Sequence, residues 1–437
     1  MAFSCDFFKE LNGYQFLNSQ FPNSQFLNSI DPCFGLLLGC VAIHPIRCLT
    51  RAMAPSADRL PTLFVYSDEM GRFEFGPDHP FKPERATKTY DLCNRYGVLN
   101  YPWMRVVAPE SLDPNLLTLY HDPEYLELLQ EASQGKVRLE MLACGLGTRD
   151  TPIVKGIYEW SLRASGGTHR SAMDILSGLA QVGFNPLGGF HHAMPGNAEG
   201  FCYINDIVIA ILDALRLYPN TRIAYVDFDA HHGNGVQAAF YEDPRVLFIS
   251  VHETGRTLYP YSGSETEIGK GAGEGYTVNV PLEPGTDDEV YGYVLDSAVF
   301  PVLRAFAPDF MIAEIGADTL VSDPLTHLKL TNNGYQKALR GLMPLCRKIL
   351  ALGGGGYDLY RTSRCWTLAW SILNHVEPVD EFAGLVGGMM FGPEKEVGSL
   401  YDHAFFTKGE VKEKAFHEAR RAVGYLQERV FPIHGIR

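Results

Sequence analysis

The sequence predicts an α/β fold: one domain built on an open, mostly parallel central sheet with helices on both faces. Three observations carry the prediction. Beyond residue 60, short continuous apolar runs alternate with amphipathic segments, as expected of strands buried on both faces and joined by helices. Each apolar run is followed at once by a polar or glycine-rich cluster. Two of those clusters carry adjacent histidines, at His191-His192 and His231-His232.

The first strand candidate is the run 62–66, Thr-Leu-Phe-Val-Tyr. Pro186-Leu-Gly-Gly-Phe190 is a weaker one, and the clearest are 222–226, 246–250, 310–314 and 348–352. Helices are expected at 204–217, 287–305 and 333–347. Near the C-terminus, Val411, Ala415, Ala419, Val423, Leu426 and Val430 recur at steps of three or four, which predicts a helix over 410–430 packed back on the body. Residues 376–406 lack such a period and read as loops and short turns. These readings divide the chain into an extension at 1–60, a catalytic domain at 61–375 and a C-terminal segment at 376–437.

The extension differs in character from the rest. Phe-Leu-Asn-Ser occurs at 16–19 and again at 26–29, and the apolar stretch 33–43 is too short to span a bilayer. It reads as weakly ordered, or as upstream of a translation start at Met53. Composition is that of a soluble globular protein, 46% hydrophobic and 20% charged. A net charge of -14 argues against a general nucleic-acid-binding surface and suits a cationic ligand, such as a lysine-rich segment or a polyamine. Nine cysteines without a Cys-x-x-Cys pair read as free thiols in a reducing compartment, hence a cytoplasmic location away from membranes.

The clusters carry the chemistry. In Asp227-Phe-Asp229-Ala-His231, residues two apart face the same side of an extended segment, so Asp229 and His231 reach one ion. A catalytic zinc takes three protein ligands and keeps one open position. Asp318, after the 310–314 run, is the best third candidate. Two carboxylates and an imidazole suit zinc, and also iron(II) or cobalt. His191 and His192 have the basicity to deprotonate a water, and Asp227 is placed to pair with one of them. Cys202 reads as a packing residue. The glycines 353–356 lead into Tyr357 with no Gly-Lys-Ser/Thr after them, so they read as room for close backbone approach and not as a phosphate loop. Tyr357 can donate a hydrogen bond to a carbonyl oxygen as it becomes an oxyanion. In open α/β sheets ligands bind outside the carboxyl ends of the strands, so all these clusters aim at one edge.

Gly189-Phe-His-His-Ala193, Gly200-Phe-Cys-Tyr-Ile-Asn-Asp206, Asp227-Phe-Asp-Ala-His-His-Gly-Asn-Gly235, Ile315-Gly-Ala-Asp-Thr319 and Gly353-Gly-Gly-Gly-Tyr357 occur in the order found in zinc-dependent histone deacetylases. His79-Pro-Phe-Lys-Pro-Glu-Arg85 and Gly145-Leu-Gly-Thr-Arg-Asp-Thr-Pro152 fit too, and the resemblance covers roughly residues 62–375. Val251-His-Glu-Thr-Gly-Arg256 and Asp323-Pro-Leu-Thr-His327 look most like the bacterial acetoin-utilization deacetylase branch.

The resemblance implies an arginase–deacetylase fold and hydrolysis of the N-acetyl amide of acetyl-lysine in proteins. It implies one zinc on Asp229, His231 and Asp318, His192 as general base and acid, and His191 assisting beside Asp227. Tyr357 would polarise the acetyl carbonyl. Gly200, Phe201 and Tyr259 would line a narrow tunnel with Leu325 near its mouth, and Asp150 would hold substrate backbone at the rim. Backbone carbonyls of Asp227, Asp229 and His231, with Ser250, would suit a structural potassium ion. A second would lie near Phe240, Asp243, Val246 and Tyr276. The substrate would be an acetylated protein, either a metabolic enzyme such as acetyl-CoA synthetase or a histone-like protein. Asn234 departs from the aspartate that many members place beside the second histidine, which should leave His192 less basic. Tyr259 stands where phenylalanine is frequent.

Two other activities and one inert role compete. A binuclear manganese ureohydrolase would need further carboxylates where this chain has Gly233 and Leu320. An acetylpolyamine amidohydrolase would share the site, and a non-catalytic acetyl-lysine-binding protein would be expected to have lost the tyrosine or a ligand.

Overall fold

The computed structural model describes residues 59–378 and 400–437. The extension expected at 1–60 lies almost wholly outside the described residues, as does most of the loop segment expected at 376–406.

The strands are β1 (Thr62–Val65), β2 (Met104–Val107), β3 (Val182–Asn185), β4 (Ile223–Asp227), β5 (Val246–Glu253), β6 (Thr277–Leu282), β7 (Phe310–Glu314) and β8 (Ile349–Leu352). They form one eight-stranded sheet in the order β2-β1-β3-β8-β7-β4-β5-β6, and every pairing is parallel. The chain thus leaves a gap between β3 and β4 that β7 and β8 fill later.

Alternation along the strands feeds two layers. On β4, Ala224 and Val226 enter one core, with the helices Leu359–Leu373 and Asn332–Leu342. Ile223 and Tyr225 enter the other, with Ile157–Leu176 and Asp206–Leu217. The helix Gly409–Arg429 buries Ala415, Ala419, Ala422, Val423 and Leu426 in the first layer. Among the described residues, no helix is long and apolar enough to cross a membrane.

Four readings of the sequence are corrected. The weak strand at 186–190 is the turn that leaves β3. Pro186 has no N–H for a ladder, Asn185 Oδ1 accepts from the Leu187 amide at 3.2 Å, and Gly189 takes φ +97°. Strands β2 and β6 were not anticipated. Both are edge strands: β2 exposes Arg105 and Val106, and β6 carries Pro281, which an edge tolerates. The helix expected at 287–305 is interrupted by a wider π-type turn at Leu295–Val299, just before Pro301, which cannot donate to the helical ladder. The helix expected at 333–347 ends at Leu342, two residues before Pro344.

Candidate active site

The site is built on the carboxyl ends of β3, β4, β7 and β8. Asp229 and His231 leave β4, and Asp318 leaves β7. His231 Nδ1 lies 3.0 Å from Asp229 Oδ1 and 2.9 Å from Asp318 Oδ2, and all three residues are buried. The outer oxygens are held by backbone: Gly355 N–H donates to Asp229 Oδ2 at 2.6 Å and Ala230 N–H to Asp318 Oδ1 at 2.9 Å. One oxygen of each carboxylate and one imidazole nitrogen therefore converge on one point, a donor set that fits a zinc-type ion. The glycines allow that convergence. A Cβ at Gly355 would meet Asp318 Oδ2 at 2.2 Å, and one at Gly316 would meet Asp229 Oδ2 at 2.1 Å. Burial pushes the Asp318 carboxyl up to about 6, with the Asp229 charge adding to it. Burial opposes the charge on His231, but the two carboxylates outweigh it and hold the imidazole well above its usual range.

The turn after β3 delivers His191 and His192. His191 Nδ1 lies 3.0 Å from Asp227 Oδ2 and 3.1 Å from Glu314 Oε1, while the two Nε2 atoms face each other at 3.1 Å. His192 Nδ1 lies 2.7 Å from Asn234 Oδ1. The partners set opposite ionisation. Burial works against the His191 cation, but the charge and hydrogen bond of Asp227 outweigh it and raise its pKa. Burial holds His192 well below its usual value, and the neighbouring cationic His191 and His231 depress it further. The carboxylate beside His191 thus favours its cationic form, while burial favours neutral His192, whose Nδ1 faces the Asn234 oxygen.

Tyr357 reaches the opposite wall, its ring 6.5 Å from that of His231 and 5.7 Å from Phe201. Its backbone N–H donates to Asp323 Oδ2 at 2.8 Å. Phe201 also packs against His79 at 4.8 Å, and His79 Nε2 lies 3.0 Å from the Asp150 carbonyl. Exposed Asp150 is thereby tied to the Phe201 side of the opening. Gly200 and Phe201 line the cavity over the metal ligands; Tyr259 and Leu325 do not. Tyr259 instead places its ring 5.1 Å from His192, and Leu325 is half-buried on the loop after Asp323. Cys202 is buried, and burial raises its thiol well above the usual range, as a packing residue requires. Ser250 pairs with Asp227 across β4 and β5, its hydroxyl 2.9 Å from His252 Nδ1. Phe240 closes the helix Asn234–Phe240, Asp243 lies on the turn after it and Val246 opens β5, while the Tyr276 carbonyl accepts from Phe248 N–H at 2.9 Å.

Over residues 79–373 the sequence matches the histone deacetylase domain. The chain belongs to the histone deacetylase family. It is 37% identical over 327 residues to the acetoin utilization protein AcuC of Bacillus subtilis (strain 168), covering 73% of this chain and 84% of that protein. It is 33% identical over 339 residues to human histone deacetylase 1, covering 77% and 69% respectively. The crystal structure of an HDAC homologue from Aquifex aeolicus matches with a TM-score of 0.73 at 28% identity, over 84% of this chain and all (100%) of that one. An HDAC homologue complexed with SAHA matches with a TM-score of 0.74 at 28% identity and the same coverage.

The deacetylase pocket holds three residues that reading the sequence missed. Buried Glu314 accepts from the Tyr225 hydroxyl at 2.5 Å, and that phenol also reaches Asp227 Oδ2 at 3.0 Å. An acid closing an otherwise apolar strand was the available signal. Arg85 donates to the carbonyls of Gly354 at 2.5 Å and Gly356 at 3.2 Å, and so pins the loop that carries Tyr357. Burial pushes its pKa down to about 10. Glu199 accepts from Asn234 Nδ2 at 2.8 Å, and no spacing in the sequence pointed to it.

Proposed function

We propose that this deacetylase hydrolyses the N-acetyl amide of acetyl-lysine in proteins, with zinc on Asp229, His231 and Asp318. The observation that supports this most is the enclosure of the three converging ligands by His192 on one side and Tyr357 on the other, their rings 5.9 Å and 6.5 Å from His231. A bound zinc ion supplies a Lewis acid that polarises a carbonyl and acidifies water.

The chain's own residues do the rest. Phe201 packs along the aliphatic stem of the acetyl-lysine, and Asp150 accepts from substrate backbone N–H at the rim. The Tyr357 hydroxyl donates to the acetyl oxygen, and burial keeps that phenol protonated. His192 accepts the proton of the attacking water and delivers it to the leaving lysine amine. The cationic His191, fixed by Asp227, stabilises the negative charge that develops beside it. Structural potassium beside Asp227 and Ser250, and near Phe240, Asp243, Val246 and Tyr276, completes the reading. Acetylated metabolic enzymes such as acetyl-CoA synthetase, or histone-like proteins, are its proposed substrates. The buried free thiols of Cys93, Cys202, Cys346 and Cys365 fit a reducing, cytoplasmic setting.

Two measurements test this. Tyr357→Phe lowers kcat about 100-fold or more while the protein keeps its metal; unchanged turnover removes the assigned role. Purified protein assayed side by side turns over an acetyl-lysine peptide faster than N-acetylated polyamines. The reverse preference overturns the substrate class.

A further inference from the structure

Asn234 is an ambiguous partner for a catalytic histidine. A primary amide has two nearly isosteric orientations, one offering oxygen and the other N–H. With oxygen toward His192, the imidazole carries its proton on Nδ1 and keeps a lone pair on Nε2. With the amide flipped, Nδ1 must accept, the proton moves to Nε2, and the base is lost. Nothing within Asn234 itself selects between the two.

Glu199 does. Asn234 Nδ2 donates to Glu199 Oε1 at 2.8 Å, while Asn234 Oδ1 faces His192 Nδ1 at 2.7 Å. In the flipped amide, an oxygen would stand against the carboxylate oxygen, acceptor against acceptor. Both ends of the chain of contacts are anchored. Asn234 opens the helix Asn234–Phe240, its N–H donating to the His232 carbonyl at 2.8 Å. Gly200, next to Glu199, is pressed on the same imidazole: φ is +54°, and a Cβ there would lie 2.2 Å from His192 Cδ2. Asn197 Nδ2 reaches the second Glu199 oxygen at 3.4 Å. Glu199 and Asn234 also line a groove of about 940 Å³ that is separate from the cavity over the metal ligands, with Met194, Gln237 and Tyr241. An amide does not conduct a proton, so the arrangement orients His192 and does not relay to it.

We propose that Glu199 is a positioning residue for deacetylation, holding the Asn234 amide in the one orientation that keeps the His192 proton on Nδ1 and leaves Nε2 unprotonated, as a base requires. The charge absent at position 234 is displaced one residue outward. The inference rests on the deacetylase reading of the pocket.

The test uses zinc-loaded, full-length protein in five forms: wild type, Glu199→Ala, Glu199→Gln, Asn234→Asp and the double variant E199A/N234D. On an acetyl-lysine peptide, Glu199→Ala lowers kcat about tenfold with KM within about twofold. Glu199→Gln, whose own amide can turn to offer either oxygen or N–H and so selects neither orientation of Asn234, keeps most of that loss. In the Asn234→Asp background the carboxylate accepts from Nδ1–H in either orientation, so adding Glu199→Ala costs nothing further. An equal loss in both backgrounds, or no loss in the wild-type background, overturns the proposal. Nitrogen-15 NMR of labelled histidine reads the His192 tautomer without substrate: Nδ1–H in wild type, mixed in Glu199→Ala. An unchanged tautomer overturns the proposal. A changed tautomer in a protein that deacetylates nothing supports the positioning role and overturns the deacetylase reading instead.

Discussion

Two carboxylates, Asp227 and Glu314, stand against His191 Nδ1, whereas His192 Nδ1 faces the neutral Asn234 amide. That difference sets the pH response. His192 is held well below the usual histidine value of 6.5, by burial first and by neighbouring positive charge second. Its free base therefore persists as pH falls, and the acid limb of kcat/KM lies below the ordinary histidine range. Asn234→Asp puts a carboxylate against Nδ1 and stabilises the imidazolium, which raises the pKa and moves that limb upward by about one pH unit. A pH–rate profile of the two proteins checks the direction; a downward or absent shift contradicts it. At this scale the sequence was legible where a side chain follows directly on a strand, as Asp229, His231 and Asp318 do. Glu199 was not, because it acts through Asn234 from a loop elsewhere in the chain.

The helix Gly409–Arg429 shows how one element is fastened to the body. Asp287 accepts from the Glu289 and Val290 amides at the start of the helix Asp288–Val294, and from both Thr407 N–H and Thr407 Oγ1–H. Lys412 Nζ reaches both of its oxygens at 2.6 Å. Asp287→Ala removes a cap and leaves Lys412 paired with Glu289 alone, and should cost about 2 kcal/mol, read as a lower midpoint in urea unfolding. A loss under about 1 kcal/mol contradicts this account. Burial works against the Asp287 charge, but the Lys412 hydrogen bonds outweigh it and depress the pKa. The contribution is therefore complete above the ordinary aspartate range and is lost as pH falls through the depressed value. The helix itself was legible from its apolar period. Its clamp was not, since Asp287 in sequence reads only as the start of another helix. Strand β3 was displaced in the reading for a related reason: Gly183 and Asn185 interrupt its apolar run, while the turn after it looks more apolar than the strand.

For the whole molecule, the parallel sheet and the convergence of polar clusters on one edge were predictable, but the order of the strands was not. Periodicity says which residues alternate and nothing about which strand lies beside which. The order matters for the metal. Gly355 and Asp229, 126 positions apart in the chain, are in direct contact, so a bound ion ties β4, β7 and β8 together. Removing it with a chelator should lower the melting temperature by about 5 °C, and elemental analysis should return one divalent ion per chain. Two divalent ions would favour a binuclear centre despite Gly233 and Leu320; an unmoved melting curve would mean the ion does not bridge those strands. The late insertion of β7 and β8 between β3 and β4 has a consequence for assembly in time. A nascent chain that has made β4 owns two of the three ligands but cannot close the cluster until β7 enters the gap. High-affinity metal uptake is thus a clock for the last stage of sheet formation. In refolding experiments it should lag behind the recovery of helical signal and coincide with the burial of Trp366 and Trp370 beneath the completed sheet.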